Sequence, residues 1–178
     1  MTRGEPSREG VPALSLNRFR AAQDAPQSGF EAALRELRAG RKTSHWIWYV
    51  FPQLAGLGRS PTAVYYGLAG PEEAADYLRD RVLGERLVAA AAIVRTHLAD
   101  AGARPTRLDE LMGSQIDALK LVSCMTLYRH VAKNLRAVDP QPRFAAMAVH
   151  ADAILAAAAA QGYGRCTYTE NHLRGLPA

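Results

Sequence analysis

Alanine constrains this chain more than any other residue. The runs Ala89–Ala92 and Ala156–Ala160 lie inside longer stretches, 85–98 and 143–161, that hold no glycine or proline. Alanine has the highest helix propensity because it loses no side-chain rotamer freedom on becoming helical. Its small side chain also lets neighbouring helices approach closely. Aromatic residues make up only 7% of the chain, which is sparse for a fold built on strands. The expected fold class is therefore all-α: a compact, irregular multi-helix bundle of about seven helices.

Helix-start signals divide the chain. Ser28 with Glu31, Thr106 with Asp109, and Ser114 with Asp117 have capping-box spacing, in which hydroxyl and acid each satisfy a free backbone donor. Ser60-Pro61 and Gly70-Pro71 place proline at the first helical position, where its missing N–H costs nothing. Phe30, Ala33, Leu34 and Leu37 recur at helical spacing and end at Gly40, a natural stop. Leu83, Leu87, Ala90 and Val94 form the buried stripe of a long helix over 81–98. Thr43 or Ser44 is expected to cap a short helix that stops before Pro52. Residues 1–13 are polar, with little to bury, and read as a disordered leader; 14–178 read as one helical domain.

Composition excludes several classes. Cys124 and Cys166 form no paired motif, so no disulfide framework is expected. No apolar segment follows Arg3 and Arg8, and Ile154–Ala160 is too short to span a bilayer, so the expectation is a soluble, cytoplasmic protein with no membrane partner. The net charge of +5 comes from 22 basic and 17 acidic residues scattered along the chain. Without a basic block or a recognition motif, that scatter disfavours nucleic acid as a partner. His45, His97, His130, His150 and His172 are far apart, and no Cys-x-x-Cys occurs. Neither a local metal motif nor a dinucleotide fingerprint is present, so no metal and no cofactor are expected. Gly162-Tyr163-Gly164-Arg165 could cradle an anion, but the pattern is more often a helix stop.

Polar and aromatic residues concentrate in two segments. One runs from His45 through Trp46 and Trp48 to Gln53 and holds both tryptophans of the chain. Indole faces can stack on a flat ligand, and histidine can move protons near neutral pH. The same residues would serve equally as a packing hub in an alanine-rich core. The other segment is Asp117 to Thr126, where Asp117, Lys120 and Ser123 or Cys124 fall near one helical face. Such groups are costly to bury unless they pair or bind something. A local Asp117–Lys120 ion pair, with hydroxyls bonded back to the helix, accounts for them without a ligand.

These segments carry a family resemblance. Leu16-Asn17-Arg18-Phe19, Ser44-His45-Trp46-x-Trp48-x-x-Phe51-Pro52-Gln53-Leu54, Tyr66-Gly67, Gly113-Ser114 and Asp117-x-x-Lys120-Leu121-x-Ser123-x-Met125-Thr126-Leu127 resemble a bacterial family catalogued as domain of unknown function 1810. The likeness runs over residues 14–175 and implies an all-α fold but no activity. Cys124 stands where a second serine is expected, Tyr128 where a phenylalanine is, and the tail after Gly164 lacks an expected acid.

The leading expectation is a small-molecule site, suited to a nucleotide-like ligand, where the His45–Gln53 segment meets the Asp117–Thr126 helix. His45 and Asp117 would donate and accept protons. Trp46 or Trp48 would stack on the ligand and Lys120 would hold an anionic group, with Gln53, Tyr66, Ser123 and Thr126 completing the walls. A non-catalytic interaction module, and then a weak nucleic-acid binder, are the alternatives. The oligomeric state stays open.

Overall fold

The computed structural model describes residues 16–99 and 106–175. The leader expected over 1–13 lies outside them. In chain order the helices are α1 (Asn17–Gln23), α2 (Phe30–Arg38), α3 (Ile47–Val50), α4 (Pro61–Tyr65), α5 (Pro71–Arg79), α6 (Arg81–Ala99), α7 (Leu108–Leu111), α8 (Gln115–Val138), α9 (Pro142–Ala160) and α10 (Thr167–Leu173). The ten helices among the described residues exceed the seven or so expected because single-turn helices such as α3 and α7 are too short to show periodicity. Among the described residues there is no strand, only one isolated parallel bridge between Leu54 and Leu68.

The helix α8 is the axle. Its 24 residues span about 36 Å, and every side chain from Leu121 to Tyr128 is buried. A helix buried all round must be wrapped by others. The alanine-rich α9 lies along both α8 and α6, and α5 packs on α6 and α8. By length and composition α9 could cross a membrane, with a mean hydropathy of 1.3. Its Phe144, Met147, Ala151 and Ile154 are instead fully buried against the bundle.

Several helix boundaries follow the sequence signals. Ser60 Oγ accepts from Ala63 N at 3.1 Å, and Ser114 Oγ accepts from Asp117 N at 3.1 Å. At Gly40 (φ 78°) and Gly162 (φ 87°) the chain turns left-handed. The glycine's own amide and the next one reach back to Leu37 and Glu36, and to Ala159 and Ala158, closing each helix with a Schellman motif.

Three caps differ from expectation. Helix α2 starts from Gly29, not Ser28. A side chain at Gly29 would collide with the carbonyls of Gln23 and Ala25, so close chain approach selects the glycine. Thr106 does not cap α7, whose flanking residue is Arg107; the Thr106 carbonyl instead accepts from Gln161 Nε2. Thr43 and Ser44 do not cap α3, which begins after Trp46. Their donors are taken by a carboxylate from another helix.

Candidate functional site

That carboxylate is Glu36, on the last turns of α2. It accepts from Thr43 N at 2.7 Å, Ser44 N at 3.0 Å, Ser44 Oγ at 2.5 Å and Trp46 Nε1 at 2.8 Å. Burial alone would raise its pKa, but these hydrogen bonds outweigh it and hold the carboxyl at about 2. The turn is fixed from its other side too. Lys42 N donates to Leu111 O at 2.7 Å, and Gly113, at φ 75°, presses on the Lys42 carbonyl with no room for a Cβ.

The two expected segments do meet here. Lys42, only 7% exposed, pairs with Asp117 at 2.5 Å, and Lys120 pairs with the other Asp117 oxygen at 2.8 Å. Burial pushes the Asp117 pKa up, but the two lysines win and its net shift is downward. A carboxylate held ionised by two ammonium groups is a weak proton acceptor. The Lys120 ammonium lies 4.5 Å from the Trp48 ring centroid. His45 is exposed, 6.4 Å from the same ring, with no hydrogen bond from its own ring among the described residues.

The remaining expected residues scatter. Trp46 is fully buried, leaving Trp48 as the indole that reaches the surface. Gln53 is buried, and its carbonyl accepts from Leu68 N. Tyr66 joins a separate aromatic cluster with Phe19, Tyr49 and Tyr65. Ser123 Oγ donates back to Leu119 O at 3.0 Å and lies 3.1 Å from Cys166 Sγ. Thr126 Oγ1 donates to Val122 O at 2.8 Å. Both hydroxyls behave as helix-satisfied groups.

Val122 and Thr126 nevertheless open onto a different feature. A groove of about 450 Å³ runs between α8, α9 and the turn into α10, walled by Val122, Leu155, Ala158, Ala159 and Tyr163. It adjoins a second hollow of about 380 Å³ lined by His130, Lys133, Asn134 and Arg174. Thr126, Arg129 and Glu170 belong to the walls of both. Each lobe falls in the usual size range of small-molecule sites. Two acids and four formal cations stand around the pair. Asp152 is bonded to Lys133 at 3.0 Å, and Glu170 lies 3.8 Å from Arg165. Among the described residues the side chains of Arg129 and Arg174 have no partner. Arg129 is half-buried; Arg174 is exposed.

Sequence reading missed Arg129. Val122, Thr126, Arg129 and Lys133 are spaced at four, three and four residues, so they share one face of α8. Extending the Asp117–Thr126 pattern by one turn would have reached the arginine. Gly164 and Arg165, read mainly as a helix stop, form part of the groove wall as well.

Residues 13–142 match the family described as "Protein of unknown function (DUF1810)", a shorter span than the 14–175 expected. No curated protein matches the chain. The crystal structure of the conserved hypothetical protein Rv1873 from Mycobacterium tuberculosis is similar, at 36% identity and a TM-score of 0.64. The likeness covers 92% of this chain and 96% of that one.

Proposed function

Since the chain belongs to the DUF1810 family of proteins of unknown function, which offers no activity to transfer, we propose from geometry alone that it binds a small anionic molecule in the groove between α8, α9 and α10. The observation that carries this reading is Arg129, a half-buried guanidinium without a partner in the wall shared by two adjoining cavities. A charge kept partly out of water with no counter-charge is a cost to the fold, and an anion would offset it. Guanidinium also suits phosphate and carboxylate, which it can grip with two parallel hydrogen bonds.

Thermal unfolding against phosphorylated and carboxylated metabolites tests the reading. A ligand at about 100 times its Kd stabilises by about 2.7 kcal/mol, a rise on the order of 5–10 °C for a domain of this size. Arg129→Gln should keep its fold and lose the rise. If no anion raises the midpoint, or the variant responds equally, the reading falls.

The alternative of a protein-interaction module draws on another observation. Ile116 and Leu119, one turn apart on α8, are 68% and 47% exposed beside Lys120. Concentration-dependent self-association or partner capture, lost in an Ile116→Lys variant, would favour it.

A further inference from the structure

The groove is not uniform along its length. One lobe is the more apolar: Val122, Leu155, Ala158 and Ala159 wall it with the half-buried Tyr163, and Asp152 and Arg165 also belong to its lining. The other lobe is richer in polar and basic side chains, with Lys133, His130, Asn134 and Arg174 around Leu173. Between them stand Arg129, Thr126 and the Glu170 carboxylate. From Val122 to Asn134, α8 runs about 18 Å along this axis.

The geometry points to a phosphate ester with a flat apolar body and a hydroxyl-bearing linker, of nucleotide size, lying along α8. This assignment rests on the reading of the groove as an anion site and names the class of ligand. The body lies against Val122, Leu155 and the Tyr163 ring, where stacking and apolar contact need no hydrogen-bond match. The phosphate lies in the basic lobe. With Asp152 held by Lys133 and Glu170 offset by Arg165, the surplus charge is that of Arg129 and Arg174, which matches a phosphate dianion. Glu170 would oppose an anion in its own place. At the junction its carboxylate instead accepts hydrogen bonds from neutral hydroxyls, as a sugar between base and phosphate would offer. The order apolar, acceptor, basic along one groove is what distinguishes this ligand from a bare anion or an acyl phosphate.

Calorimetric titration of the full chain with adenosine, AMP, inorganic phosphate, glucose 6-phosphate and octyl phosphate separates the parts. The expected result is AMP binding at least about tenfold more tightly than any of the other four. Arg129→Gln should weaken AMP about tenfold or more while leaving adenosine unchanged. Tyr163→Ala, with Leu155→Ala as the gentler second variant, should weaken AMP and spare inorganic phosphate. Dideoxy-AMP should bind several-fold more weakly than AMP to the native chain and about as tightly as AMP to Glu170→Ala, which has no acceptor there. Inorganic phosphate or glucose 6-phosphate binding as tightly as AMP would overturn this assignment and leave the anion site standing. Octyl phosphate winning over AMP would do the same. AMP binding that ignores Arg129→Gln would move the ligand elsewhere and overturn it. No binding by any of the anions would overturn the anion site itself.

Discussion

The Glu36 turn and the Arg129 groove hold the same kinds of residue and treat them oppositely. At the turn both carboxylates are answered: Glu36 takes four hydrogen bonds, and Asp117 takes two lysines. In the groove the half-buried Arg129 has no partner among the described residues. Satisfied polar groups rigidify a fold and specify its geometry. An unsatisfied one is a better pointer to something that is bound. The turn therefore reads as architecture that supports α2, α3 and α8, and the groove as the place of the proposed site.

Removing Glu36 breaks that contrast most sharply. Glu36→Ala strands two backbone amides and the Trp46 indole N–H, at an expected cost of about 2–4 kcal/mol. Denaturant unfolding measures it. A loss below about 0.5 kcal/mol would mean that the turn is no anchor. Asp117→Ala comes next, at about 2–3 kcal/mol, since it leaves the nearly buried Lys42 unpaired; partial exposure of the cluster keeps it below a fully buried pair. If that variant is instead stable but loses anion binding, the cluster is part of a site and the comparison reverses.

Acid sharpens the same point. Glu36 has a folded pKa of about 2 against an ordinary 4.5. Its folded value is depressed, so its contribution is fully present above the ordinary value and is lost as pH falls toward the folded one. The stability gap between the native chain and Glu36→Ala should thus be constant above about pH 5 and close as pH drops toward about 2. A gap that does not change over this range would place the stabilisation elsewhere. The smallest effects belong to the unanswered groups. Arg129→Gln and His45→Ala should each change stability by no more than about 0.5 kcal/mol. Only Arg129→Gln should alter anion binding, as read by thermal shift.

Much of the fold was legible. Proline at first helical positions, the Ser114 capping box and stretches free of glycine and proline marked the starts of α4, α5, α8 and α9 and the span of α6 within a residue or two. Each rests on backbone physics that acts within a few residues. Capping signals held where no distant group competed for the cap, as at Ser60 and Ser114. They gave way where a distant group competed. Glu36, two residues before the end of its own helix, takes the donors of Thr43 and Ser44 from α3. Tight chain contact chose Gly29 over Ser28.

The site was legible only in part. The composition of α8 already pointed to the Asp117–Lys120 ion pair, because i, i+3 neighbours meet whatever the rest of the fold does. That Lys42 shares the same carboxylate, that Trp46 is sealed while Trp48 reaches the surface, and that Arg129 lines one groove with Tyr163 and Glu170 were decided by packing. Sequence determines local spacing and therefore helices, caps and near-neighbour pairs. Which cation finds a distant counter-charge, as Lys42 finds Asp117 and Lys133 finds Asp152, depends on how separate helices pack, and only the tertiary arrangement brings those side chains together or leaves them apart.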